Sequence, residues 1–335
     1  MTKNSPSLRL SRRLRPRGLA GLVAVRIALA VLTLVVVSII VFASTQLLPG
    51  NAAKAKLGKQ ATRASLTALE KQLGLDQSAF HQYVHFVGGL LRGDPGNSLT
   101  SGQPIMADLT PRLANSAFLV LVAAAISIPL SLLIGSVAAV RRDGILDEIS
   151  SFLQRVLASI PEFVIGLALI ALFATSVLQV FPAVSIIPPG SPPWSNLDAI
   201  WLPALTLVLV VTPNIALIMR AAMIEVLESD YIESARLTGV PERRIVVRHA
   251  LPNALAPAFQ VIALNLAYLA GGVIVVESVF SYTGVGVAMR DAVLNRDFPT
   301  AQVVTMIIAG VYVVTNLAAD IGTILVTPRL RTRLA

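Results

Sequence analysis

The sequence predicts an all-α polytopic membrane protein with six transmembrane helices and both termini in the cytoplasm, and three observations carry that expectation. The 335 residues are 55% hydrophobic and only 13% charged, whereas soluble domains average about 45–50% apolar and about 25% charged. So little charge cannot cover a soluble body of this size, which argues against a soluble enzyme. The apolar residues are gathered into six blocks near 27–48, 116–140, 156–180, 201–222, 253–280 and 301–326, each long enough for a helix across a hydrocarbon core of ~30 Å. The segments between the blocks alternate between rich and poor in Lys and Arg, as in a chain that crosses a membrane repeatedly. There is no Cys, so disulfides, thiolate catalysis and Cys-ligated metal centres are excluded. The net charge of +9 then marks membrane sidedness rather than nucleic-acid binding.

The cytoplasmic segment 1–26 carries seven basic residues (Lys3, Arg9, Arg12, Arg13, Arg15, Arg17 and Arg26) and no acid. With the following apolar run and Ala43-Ser44-Thr45 it resembles a signal or transit peptide. The run is long for a signal, however, and five spans follow, so 27–48 is expected to be an uncleaved first span. Residues 49–115 form the extracytoplasmic segment. Leu66, Leu69 and Leu73 recur at helical spacing with Gly74 as C-cap, and Gly93-Asp94-Pro95-Gly96-Asn97-Ser98 reads as a turn. This suits a small cap on the membrane surface. His81 and His85 share a helical face, but without a third ligand they read as surface residues and no metal site is expected.

Residues 116–326 form a five-helix core. Pro129, Pro161 and Pro203 lie in or near its spans, which packed membrane helices tolerate. Ser131, Gly135 and Ala139 form a small-residue stripe that permits close helix approach, either within the chain or to a second subunit. Arg141, Arg142 and Arg155 follow the second span. Arg220, Arg236, Arg243, Arg244 and Arg248 lie at or after the end of the fourth, and Arg329, Arg331 and Arg333 are in the tail 327–335. With the N-terminal segment, these place eighteen of the 27 basic residues on one side. The short opposite loops hold only Arg290 and Arg296, offset by Asp291 and Asp297. The basic side is cytoplasmic by the positive-inside rule.

The cytoplasmic loop 223–252 is the most informative stretch. Asp230 as N-cap and Glu233 three residues on have capping-box spacing, Gly239 fits a helix end and Pro241 lies beyond it. A two-turn helix is expected at about 231–238. Pro241 and Glu242 then open a second helix carrying Arg243, Arg244 and Arg248, which Pro252 bends or ends. So short a helix is marginal alone. It must lie on lipid headgroups or insert into a cytoplasmic partner.

Glu233-Ser234-Ala235, three residues, Gly239, nine residues and His249-Ala250-Leu251-Pro252 resemble the EAA loop of ABC importer permeases. Ser234 replaces an Ala of the family pattern and His249 an Ile. Leu48-Pro49-Gly50, Gln72-Leu73-Gly74-Leu75-Asp76, Tyr83, Gly93-Asp94 with Ser98, Arg141-Arg142, Ile160-Pro161, Leu202-Pro203-Ala204-Leu205 and Arg220-Ala221-Ala222-Met223 resemble the dipeptide/oligopeptide (peptide/nickel) branch. So do Val276-Glu277-Ser278-Val279-Phe280, Gly284-Val285-Gly286, Asp297-Phe298-Pro299, Asn316 with Asp320, and Pro328-Arg329-Leu330-Arg331. Asn51, Ala52 and Pro95 depart from the branch on its outer face, which touches cargo or binding-protein contact rather than coupling.

The resemblance covers roughly residues 25–331. It implies a type I ABC importer permease fold in the bacterial plasma membrane and a non-catalytic subunit with no bound cofactor. ATP and Mg would be held by two ATPase subunits or domains. The remaining partners would be a second homologous permease and an extracytoplasmic peptide-binding protein. In keeping with this, the chain has no P-loop, since Gly58-Lys59 lacks the upstream Gly and is followed by Gln60. The cargo would be short peptides, or else nickel chelates or glutathione. Asp230, Tyr231, Glu233, Ser234, Ala235, Gly239, Pro241 and Arg243 would couple the spans to the ATPase. Glu233 would cap and contact it, Ala235 would allow close approach and Gly239 would set the turn.

Polar groups inside spans are costly and usually functional, so Glu162, Asn214, Asn265 and Glu277 are candidates for the translocation pathway. Glu162 fits either pathway lining or an ion pair with a neighbouring helix. Glu277 and Asp320, near span ends, also suit pairing with Arg or headgroup amines. An intramembrane protease is disfavoured because His81, His85 and His249 all fall in loops. An ion-coupled carrier would not need the capped loop.

Overall fold

The computed structural model of the chain describes residues 19–47, 62–64, 67 and 77–326. The segment 1–18, the Gly58-Lys59 pair, the Leu66/Leu69/Leu73 helix with Gly74, and the tail 327–335 lie outside the described residues. The major helices are α1 (Leu19–Leu47), α2 (Ala79–Arg92), α3 (Ile105–Val140), α4 (Ile145–Ser159), α5 (Glu162–Ile170) and α6 (Leu197–Leu227). After these come α7 (Asp230–Leu237), α8 (Glu242–Arg244), α9 (Leu251–Phe280), α10 (Val285–Leu294) and α11 (Phe298–Val326). Two wide π-helical turns, Ala171–Thr175 and Ile245–Ala250, extend α5 and join α8 to α9. Among the described residues five helices are long and apolar enough to cross a membrane, and two bent pairs, α4 with α5 and the end of α9 with α10, pass the same test as units.

Five of the six apolar blocks fall within long helices, whereas the third does not form one helix over 156–180. α4 ends at Ser159, Ile160 (φ −93°, ψ 127°) and Pro161 (φ −59°, ψ 144°) are extended, and α5 restarts at Glu162 after a bend of 102°. The cause is local, because the Pro161 ring disfavours the helical region at Ile160 and its nitrogen has no proton for the ladder. Pro129 and Pro203 stay inside continuous helices. α3 begins at Ile105, eleven residues before the apolar block. Its first turns are amphipathic rather than apolar, with Asp108 paired to Arg112 at 3.0 Å. A helix α10 also forms where a plain loop was expected.

α6 is the central helix. Two thirds of its span (67%) is buried, against 11% for α1 and for α11, and α3 and α9 pack along it while α1 and α11 pair at the periphery. Leu202, Leu207, Ile215, Met219 and Met223 fill this core. The Ser131/Gly135/Ala139 stripe serves packing within the chain. All three residues are buried, and a Cβ on Gly135 would stand 2.8 Å from that of Met219.

The end of the bundle opposite the α6–α9 loop is closed by two carboxyl groups. Asp297, at the start of α11, accepts from the Ser98 hydroxyl and from the Leu99 N–H (3.0 Å), tying the 93–104 turn to a helix 198 residues away. Glu277 is fully buried. It accepts from the Gly286 N–H (2.6 Å) and from Ser116 Oγ, which itself accepts from the Val285 N–H (2.9 Å). Asp297→Ala removes a buried acceptor and a helix cap, so it is expected to cost about 1–3 kcal/mol. The check is the thermal unfolding of the purified protein in detergent, and an unchanged midpoint would refute the tie.

Candidate functional site

The loop between α6 and α9 is built to hold one short helix rigidly. α7 spans Asp230–Leu237, but the capping box is not the device that starts it. Ser229 is the N-cap, its hydroxyl turns back to the Val226 carbonyl, and no side chain caps the helix. Asp230 and Glu233 lie instead in the first turn, where carboxylates favour the positive end of the helix dipole.

The C-terminal end follows the expectation closely. Gly239 adopts φ +82°, which an L side chain reaches only with strain. Its N–H bonds the Arg236 carbonyl (3.0 Å), and the Val240 N–H bonds the Ala235 carbonyl (3.1 Å). This is the paired 5→2 and 6→1 closure of a Schellman end. Arg236 then clamps the turn through Glu242 (Nε to Oε1, 2.6 Å) and the Leu227 carbonyl (3.4 Å). Pro241 is the N-cap of α8 rather than its first residue, and Arg243 is exposed within α8. Pro252 stands in the first turn of α9, immediately after the preceding turn ends at Ala250. The Ile245–Ala250 turn just before it, with the Leu251 N–H on the Val246 carbonyl, absorbs its missing donor.

Ile232 is fully buried and pins α7 to the bundle, while the Tyr231 hydroxyl accepts from Asn253 Nδ2 of α9 (3.1 Å). Asp230, Tyr231, Glu233 and Ser234 remain exposed and Ala235 half-buried. Leu237, which sequence reasoning missed, is 84% exposed beside them. Its only sequence signal is an apolar residue on a short polar helix.

Sequence reasoning also missed two ion pairs at the foot of α6. Arg220 donates to both carboxylate oxygens of Asp147 on α4 (2.5 and 2.6 Å), and Asp147 further accepts from the Asp143 N–H (3.1 Å) and the Ser151 hydroxyl (3.3 Å). Arg142, just after α3, pairs with Glu228, the residue before the N-cap of α7. The corner between α3 and α4 is thereby joined to the helix that runs into α7.

The polar residues expected at membrane depth separate into different environments. Glu162 is not inside a continuous span but is the first residue of α5, half-buried, with Tyr268 Oη of α9 donating to its Oε2 at 3.3 Å. Among the described residues no cation pairs with it. Asn265 lies one turn before Tyr268 and bonds back to the Val261 carbonyl (2.9 Å). Asn214 is exposed midway along α6 and shares no hydrogen bond with the others. Among the described residues no Lys or Arg lies within ion-pair distance of Glu277, whose partners are Ser116 and the Gly286 N–H. Being fully buried, Glu277 holds the α9–α10 turn. Asp320 does pair with arginine, at 2.8 Å to Arg26. Among the described residues no group of acids and histidines has metal-site geometry.

Residues 131–332 match the family described as binding-protein-dependent transport system inner membrane component, and residues 20–106 match the N-terminal region of the same systems. A probable peptide ABC transporter permease of Sinorhizobium fredii is 35% identical over 308 residues, covering 91% of this chain and 97% of that protein. Glutathione transport system permeases of Pectobacterium atrosepticum and Escherichia coli K12 are 33% and 32% identical over 299 residues, covering 89% of this chain and 95% of each relative. The chain therefore belongs to the binding-protein-dependent transport system inner membrane components, the multi-pass permease subunits of ABC importers.

Proposed function

We propose that the chain is one of two permease subunits of an importer that carries short peptides from an extracytoplasmic binding protein into the cytoplasm. Six spans cross the membrane, the third being the bent α4–α5 pair, and both termini are cytoplasmic. ATP and Mg are held by two partner ATPases. α7 enters a groove on one of them, so that closure of the ATPases on ATP rocks the spans between inward- and outward-facing states. The build of α7 carries this reading. It has a buried anchor at Ile232, a glycine-dependent end locked by Arg236 and Glu242, and an exposed face of Tyr231, Glu233, Ser234 and Leu237. A helix that only rested on headgroups would need no such rigidity, whereas one that transmits displacement does. The cargo reading rests on the peptide permease among the relatives. The glutathione permeases, at similar identity, make that γ-glutamyl tripeptide the second reading.

Purification of the chain from its host membrane is expected to bring a second permease and ATPase subunits with it, and a chain that emerges alone would contradict the assembly. Gly239→Val forces a β-branched residue to positive φ at a cost of about 1–2 kcal/mol. It is expected to lower import about tenfold, with weakened stimulation of ATPase activity. Glu233→Ala is expected to act in the same direction and less strongly. Normal import with normal ATPase stimulation in both variants would overturn the coupling role.

A further inference from the structure

We infer that Glu162 and Tyr268 form a subsite for a primary ammonium group of the cargo. The inference rests on the reading of the chain as a peptide permease.

Its basis is a carboxyl group with an oriented neighbour and no cation. Tyr268 is the eighteenth residue of the thirty in α9 and belongs to an apolar stretch long enough to cross a membrane, and Glu162 opens the second arm of a bent pair that passes the same test, so the pair joins two membrane-crossing elements. Pro161 breaks the third span immediately before Glu162 and turns the chain by 102°, which places the carboxyl at an elbow. Both side chains stay accessible on the protomer, Tyr268 at 44%. An acid so placed cannot face acyl chains without a large penalty. It faces either a water-filled path or a partner, and no Lys or Arg reaches it among the described residues.

The geometry suits one ligand chemistry. Tyr268 Oη occupies Oε2, which leaves Oε1 free to accept. The Tyr268 ring is held against Gly272, where a Cβ would stand only 3.2 Å from Cε1, so a larger residue would push the ring from its place. A carboxylate beside a fixed aromatic ring binds an alkylammonium through a charge-assisted hydrogen bond and a cation–π contact. An unblocked peptide offers that group at its N-terminus, and a lysine side chain offers a second source.

The test uses the full importer, reconstituted in liposomes with its second permease, ATPases and binding protein. Three cargoes are compared: trialanine, N-acetyl-trialanine and N-acetyl-Ala-Lys-Ala. Glu162→Gln is expected to lower kcat/KM for trialanine about tenfold while changing that for N-acetyl-trialanine little, and Glu162→Asp to restore part of the loss. Tyr268→Phe is expected to act in the same direction, more weakly. A loss for N-acetyl-Ala-Lys-Ala matching that for trialanine assigns the subsite to any ammonium, and its absence assigns it to the N-terminus. Equal losses for all three cargoes would mean that Glu162 pairs with a neighbouring subunit, and no loss for any would mean that it touches no cargo. Either result overturns the subsite. If the wild-type importer hydrolyses ATP yet takes up none of the three, the peptide reading falls and the subsite with it.

Discussion

Asp147→Ala, with Arg220 left in place, is expected to uncouple the importer and to destabilise it by about 1.5–3 kcal/mol, the cost of removing the charged acceptor from a partly buried ion pair. The Asp147 side chain is 3% exposed and that of Arg220 27%. The carboxylate accepts from both guanidinium nitrogens, a backbone N–H and a hydroxyl. Removing it leaves four donors without an acceptor. Arg220 lies ten residues before Asp230, the first residue of α7, on the helix that runs into it, so the same change removes a charged tie between α4 and the helix that carries α7. Arg142 and Glu228 hold a second point of the same junction, but their side chains are 44% and 62% exposed, and exposed pairs contribute only about 0–1 kcal/mol. They cannot compensate. The measurements are the thermal midpoint of the purified complex and cargo imported per ATP hydrolysed. The double variant Asp147→Ala with Arg220→Ala should recover part of the stability, since no charge is left unpaired, while import per ATP stays low. A single variant matching wild type in both measurements would show that the pair does nothing for coupling or stability.

Gly286→Val is expected to abolish accumulation of folded protein. A Cβ at this position would stand 2.5 Å from Ile274 Cα and 2.9 Å from Glu277 Oε2, and the first of these is backbone and cannot swing aside. Overpacking costs about 1–3 kcal/mol, sometimes more. Displacement of the Gly286 N–H from Glu277 adds the roughly 1–3 kcal/mol of an unsatisfied buried polar group. Together these come to about 2–6 kcal/mol, against about 5–15 kcal/mol for the stability of a typical domain. The α9–α10 turn is also tied to α3 through Asn115 Nδ2 on the Thr283 carbonyl (2.7 Å) and Tyr282 Oη on the Asn115 carbonyl (2.9 Å), so damage there spreads into the core. Gly310→Ala is the control, because a Cβ there meets nothing within 4 Å, and its membrane level should match wild type. Equal yield and equal thermal midpoint for Gly286→Val and Gly310→Ala would refute the role assigned to the turn.

The loop between α6 and α9 was legible because its devices are local. Gly239 at positive φ, with Pro241 after it, is a signal confined to a few neighbouring residues, and the structure realises it in that form. The expected capping box does not form, because the N-cap falls at Ser229, one residue before Asp230, and the Ser229 hydroxyl turns back to the Val226 carbonyl at the end of α6. The break in the third span had a local cause at Pro161, yet Pro129 and Pro203 carry the same residue inside intact helices. Packing against neighbours decides whether a proline is absorbed. Glu277 looked like Glu162 in one dimension, an acid in an apolar run. Only in three dimensions does Glu277 find Ser116 and Gly286 while Glu162 finds a single tyrosine.

What the amino-acid order determined by itself is the membrane character, the positions of most apolar helices, the loop that marks the family, and the absence of cysteine chemistry. These follow from hydropathy, period and turn chemistry, which act over a few residues to one helix length. What only the tertiary structure decided is which polar side chains are partnered: Arg220 with Asp147, Ser98 with Asp297, Ser116 with Glu277, Tyr268 with Glu162. In an apolar medium a buried carboxyl group must find donors wherever the fold brings them. Those donors lie from 73 to 199 residues away along the chain, beyond the reach of any local pattern.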